Sequence, residues 1–335
     1  MQAAIYGLSG LVLTRDERAF FRDADPAGYI LFARNIAGRE QVKALTDDLR
    51  ALSGRGDVPI LIDQEGGRVA RMKPPEWPLF PAGEAFDALY RKAPMSAIEA
   101  ARANAEAIAL LLAECGVNVD CLPVLDVRQP GATDIVGDRS LGSEPMQVAA
   151  LGRAMLDGLK AGGVVGVVKH MPGHGRALVD SHHALPVVTA SEAELEIDLE
   201  PFRTLAWAPM GMTCHCVFTA WDAALPASQS PAVVGGIVRG RLGFDGFLMS
   251  DDMGMSALAG GFDARARRIV EADNDAALHC SGAMDEMVAV AGAVGELTPK
   301  GRERLDRAMA TVGGAFPAAS YDALAEKRDR LLALA

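Results

Sequence analysis

Eight short apolar runs recur along the chain, at positions 3–8, 28–32, 59–62, 117–122, 164–168, 211–214, 246–249 and 276–280. Each ends in polar or glycine-rich residues, and most are followed by a stretch with helical spacing. Runs this short, rich in Val, Ile and Leu, read as buried strands. Between them, positions 98–115 and 146–159 carry apolar residues on one helical face. Eight strand-then-helix units predict a single (β/α)8 TIM-type barrel of the α/β class. A doubly wound open sheet gives a similar alternation, so the pattern alone leaves both open. Either way, ligand chemistry belongs in the loops at the C-terminal strand ends.

The chain has 335 residues, half of them apolar, so a large core is available. We expect one catalytic domain over 1–335, with charged, solvated C-terminal helices from about 298 (Arg302-Glu303-Arg304, Glu326-Lys327-Arg328-Asp329-Arg330). A formal charge of −11 argues against a nucleic-acid or anionic-lipid face. No apolar run approaches the ~18–20 residues of a membrane span, and the first residues lack a signal-peptide pattern. Five scattered cysteines (Cys115, Cys121, Cys214, Cys216, Cys280) resemble buried small hydrophobes of a reducing compartment, so a cytoplasmic location is expected.

The densest chemistry follows the run at 164–168. Lys169-His170-Met171-Pro172-Gly173-His174-Gly175, with Asp180-Ser181-His182, places three histidines, a lysine and an aspartate within fourteen positions, in a chain with six histidines. Pro172, Gly173 and Gly175 disfavour a helix there. A second strand-end loop, Asp63-Gln64-Glu65-Gly66-Gly67-Arg68-Val69-Ala70-Arg71, offers Asp63 to paired hydroxyls and Arg71 as a fork for oxygen-rich ligands. Asp138-Arg139 offers another fork, although an ordinary salt bridge is the commoner fate of such a pair. Ser250-Asp251-Asp252 also follows a strand. One of its carboxylates can serve as nucleophile, base or electrostatic stabiliser; the plainer alternative is a helix cap. Adjacent aspartates on extended backbone point opposite ways, so only one faces a pocket.

Zinc is disfavoured. Cys214 and Cys216 share one face of an extended segment while His215 points away, and neither paired CxxC nor HExxH occurs. Phosphate-cradling and dinucleotide glycine patterns are also missing, so no cofactor and no metal is expected.

These motifs, together with Leu31-Phe32-Ala33-Arg34-Asn35 and Trp77-Pro78-Leu79-Phe80-Pro81, resemble glycoside hydrolase family 3, in particular its bacterial β-N-acetylglucosaminidases. The likeness runs from about Leu31 to Cys280. It implies a lone (β/α)8 barrel and a retaining mechanism. Asp251 would be the nucleophile, His182 the general acid and base, and Asp180 the group that orients and tunes His182. Asp63, Arg71, Arg139, Lys169 and His170 would bind a non-reducing terminal N-acetylglucosamine. The implied role is exo-hydrolysis of N-acetylglucosaminyl-anhydro-muropeptides in peptidoglycan recycling, a small-molecule glycan substrate. Met171 and Leu141 depart from the family pattern by apolar exchanges beside the site. Two readings compete: a Schiff-base lyase using Lys169, and a sugar-binding protein without catalysis.

Overall fold

The computed structural model describes residues 1–131, 135–179, 184–312 and 319–335. Eight parallel strands close into a barrel: β1 (Gln2–Gly7), β2 (Pro26–Leu31), β3 (Ile60–Ile62), β4 (Val119–Asp120), β5 (Val165–Met171), β6 (Met210–Thr213), β7 (Phe247–Asp252) and β8 (Ala276–His279). Each of the eight apolar runs supplies one strand, in chain order. The open-sheet alternative fails because β8 pairs with β1, Ala4 opposite Ala277 and Tyr6 opposite His279.

The two faces of the strands follow the period of two that pleated backbone imposes. Ile5, Val165, Val167, Phe247, Met249 and Leu278 pack together inside the barrel. Ala4, Tyr6, Leu248 and Ala277 belong to the outer layer under the helices. Burying side chains of this kind stabilises by about 1.5–3 kcal/mol each. The expected helices are present at Pro94–Glu114 and Pro145–Ala161. The first is alanine-rich and buried on most of its surface, because it lies against both the second and the helix Tyr321–Leu332. Gly158 permits that close approach: a Cβ there would stand 2.3 Å from the Arg102 carbonyl oxygen.

Two features were not read from the sequence. A short parallel pair, Val187–Val188 with Val217–Phe218, stands apart from the barrel. The segment Ala232–Arg241 is a π-helix.

The C-terminal helices Pro299–Met309 and Tyr321–Leu332 are less solvated than expected. Leu305, Ala308 and Met309 join the apolar cluster inside the barrel. Arg328 is buried, donates to Asn104 Oδ1 at 3.2 Å and lies over the Phe80 ring. Charge content misleads here because long basic side chains bury their stems while engaging polar groups.

Asp275 ties this end of the barrel together. Its Oδ2 accepts from Leu248 N at 2.8 Å and Arg239 Nη2 at 2.7 Å, and its Oδ1 from Arg304 Nη1 at 3.0 Å. Asp275→Ala leaves buried Arg239 without its carboxylate. The expected cost is about 3–5 kcal/mol, read as a lowered denaturant midpoint at unchanged m-value.

Candidate active site

The opposite, C-terminal end of the barrel opens into a cavity of about 280 Å³. Asp63 enters it from the loop after β3, Lys169 and His170 from the end of β5, and Asp251 from the end of β7. Arg71 and Arg139 enter from the loops after β3 and β4. Thus six of the eight residues singled out in the sequence line one cavity. Asp180 and His182 lie outside the described residues.

The cavity wall is an ion network. Lys169 Nζ lies 3.0 Å from Asp63 Oδ1 and 2.6 Å from Glu65 Oε1. Arg71 Nη2 donates to Asp63 Oδ2 at 2.9 Å. Arg139 takes Glu65 with both prongs, Nε to Oε2 at 2.8 Å and Nη2 to Oε1 at 2.7 Å. Asp138 instead pairs with Arg68 at 2.7 Å, so the fork from this loop is Arg139. Burial alone would raise the carboxylate pKa values, but the cations prevail. Lys169 and Arg71 hold Asp63 well below its ordinary range. Arg139 and Lys169 bring Glu65 from 4.5 to about 2. Burial likewise opposes the Lys169 charge, and the two carboxylates still raise its pKa. That environment is the reverse of what a Schiff-base nucleophile needs, which is a lysine neutral near pH 7. The lyase reading loses its support.

Below this wall lies Asp120, fully buried, with Oδ1 accepting from Gln64 N at 3.0 Å. Burial pushes its carboxyl well above the usual range, against the pull of the Gln64 amide and Lys169.

Against the expectation that only one of the pair would face a pocket, Asp251 and Asp252 both line the cavity, with different attachments. The Asp252 carboxylate accepts from Gly254 N at 2.9 Å and Cys280 N at 3.3 Å. Asp251 Oδ1 accepts only from the next amide, Asp252 N, at 2.8 Å among the bonds described. Burial works against the Asp251 charge, but His170 and His215 lower its pKa, so it stays ionised. Ser250 is no helix cap; its hydroxyl accepts from Leu278 N at 3.2 Å. The strand end is braced by His215, whose Nε2 meets the Asp252 carbonyl at 3.0 Å and whose Nδ1 meets Ser228 Oγ at 2.6 Å. Cys214 and Cys216 are buried beside it as free thiols. Among the described residues, no group of three or more His, Cys, Asp or Glu could hold a metal ion.

Sequence reasoning passed over four of these side chains. Glu65 sat inside a quoted motif without a role. His215 was weighed only as a metal ligand. Asp126 lies just past the fourth apolar run, where the polar strand-end rule could have found it. His174 was quoted in its motif but given no task. It is buried against His170, their ring centroids 5.9 Å apart, and neither of its ring nitrogens has a partner among the described residues.

A carboxylate and a wall of ion-paired lysine and arginines share one cavity at the C-terminal end of a closed parallel barrel, a lining suited to an oxygen-rich ligand. Residues 8–313 match the family described as the glycosyl hydrolase family 3 N-terminal domain. The chain belongs to glycoside hydrolase family 3. Within that family it falls with the β-hexosaminidases. The β-hexosaminidase of Alkalilimnicola ehrlichii is 39% identical over 280 residues, covering 82% of this chain and 79% of that protein. That of Bordetella avium is 36% identical over 279 residues, with the same coverage. Among solved structures, NagZ from Neisseria gonorrhoeae in complex with N-trifluoroacetyl-D-glucosamine superposes with a TM-score of 0.87 at 30% identity, over 99% of this chain and 98% of that one.

Glu65 supplies a test of the network. Because its folded pKa is depressed, its stabilisation is full above about pH 4.5 and is lost as pH falls toward about 2. Glu65→Gln should be less stable at pH 7 by about 3–5 kcal/mol. Chemical denaturation of both proteins from pH 7 to pH 2 should show that difference shrink through this window. A constant difference would refute the charge account.

Proposed function

We propose that the chain is an exo-acting β-N-acetylglucosaminidase that works with retention of anomeric configuration. The observation that carries this reading is the Asp251 carboxylate lining one small cavity together with the Asp63–Lys169–Glu65–Arg139 network. A terminal sugar bound by that network would present its anomeric carbon to Asp251. Attack would form a glycosyl-enzyme ester and release the leaving oxygen, which must receive a proton.

By the family resemblance, His182 gives that proton and later takes one from water, and Asp180 orients it. A neighbouring carboxylate stabilises imidazolium, so such a histidine can hold a proton near neutral pH. It also avoids adding a third carboxylate beside Asp251 and Asp252. Arg71 and Arg139, each already paired to a carboxylate, keep further donors for sugar hydroxyls.

The N-acylated glucosamine in the gonococcal neighbour supports a 2-acetamido sugar as the glycone. We extend the reading to muropeptide fragments of peptidoglycan recycling, and to the cytoplasm, where five buried free cysteines are at home. No described helix is long and apolar enough to cross a membrane.

The purified chain should release phenol from an aryl β-N-acetylglucosaminide between about pH 5 and 8, the range of histidine titration, without added metal. His182→Ala should cost ~10²–10⁴ in rate, and Asp251→Ala at least as much. A fluorinated mechanism-based sugar should label Asp251, and the first-formed product should be the β-anomer. The reading falls with no turnover anywhere in that range, or with an inverted product.

A further inference from the structure

Asp126 lies six residues beyond the end of β4 and is completely buried. It does not line the cavity described above, yet its carboxylate organises the wall beside Asp251. Oδ2 faces His170 Nδ1 at 2.7 Å. Oδ1 accepts two backbone N–H groups, from His170 at 3.2 Å and His174 at 2.7 Å. One side chain therefore clamps both ends of the turn from His170 to His174 and one ring in it. Burial disfavours the Asp126 charge, but His170 and the donors around it keep its pKa at about 2, so it is an acceptor only.

An acceptor-only partner has one consequence for the ring. His170 Nδ1 must carry a hydrogen, and Nε2 is the nitrogen left for the cavity that His170 lines. In the neutral ring that nitrogen is a lone pair that accepts from a sugar hydroxyl. In the cation it is a donor. Among the described residues His174 does not share this constraint, because neither of its ring nitrogens has a partner there.

We propose that Asp126 is a positioning residue for the hydrolysis: it fixes the Nδ1–H form of His170 and the 170–174 turn, so that His170 Nε2 meets the bound sugar. The contact to sugar rests on the function proposed above; the tautomer does not.

Asp126→Asn is nearly isosteric and separates the two demands. The amide oxygen can satisfy the two backbone N–H groups only by turning its NH₂ toward His170 Nδ1. That nitrogen must then become the acceptor, and the proton moves to Nε2. With six histidines in the chain, ring ¹⁵N resonances can be assigned by substitution. The wild type at neutral pH should show a protonated Nδ1 on His170, and Asp126→Asn a protonated Nε2 with an unprotonated Nδ1. On an aryl β-N-acetylglucosaminide, kcat/KM of Asp126→Asn should fall about 10²-fold, as for lost groups that orient a ligand-binding histidine. If Asp126 acts through His170, the same change in a His170→Ala background should cost less than about 3-fold, since coupled residues are not additive.

An unprotonated His170 Nδ1 in the wild type overturns the proposal even if the variant fails to fold. So does an equal loss from Asp126→Asn in both backgrounds, which would mark a purely structural residue. If the wild type hydrolyses no aryl glycoside, the sugar contact falls with the proposed function, while the wild-type ¹⁵N spectrum still decides the tautomer.

Discussion

Glu65 is the hinge of the site's electrostatics. A lysine and two arginines cannot be gathered at the mouth of an apolar barrel unless anions meet them, because the desolvation of each charge costs several kcal/mol. Glu65 answers two of the cations at once, Arg139 with two hydrogen bonds and Lys169 with one contact, and Asp63 answers Lys169 and Arg71. Shared partners fix Lys169 from two sides, so its ammonium is a stationary donor and not a mobile one. Preorganised donors of this kind need no reorganisation when ligand arrives. Burial of Asp120 beneath them disfavours a third negative charge in the balance.

The same logic separates the two neighbouring aspartates. Asp252 spends its carboxylate on backbone amides, while Asp251 is left with one local hydrogen bond and the field of two histidines. Both line the cavity, so the neighbours differ by their hydrogen-bond partners and not by which way they point.

Much of the fold was legible because a parallel strand buried on both faces reads as a continuous apolar run. The runs marked all eight barrel strands, although only two or three residues of β3 and β4 keep regular pairing. Closure itself was not legible from periodicity, since it depends on β8 meeting β1, a pairing between the two ends of the barrel sequence. The π-helix, with three glycines in ten residues, carries no helical signal in its sequence. In the site, residues in dense motifs were found. Those that act from outside the cavity, such as Asp126 and His215, carry signals of single residues and emerge only from distances. The burial of Arg328 was hidden for a related reason: a charge run reads as solvated unless the partner, here Asn104, is known.

The carboxylate of Asp275 and the network around Lys169 sit at opposite mouths of the barrel. One holds the scaffold together and the other lines the cavity proposed to take the sugar, with the apolar filling between them as insulation. Drift in the loops that choose among sugars can therefore proceed without eroding the foundation, and a damaged foundation can be repaired from the far side without retuning recognition.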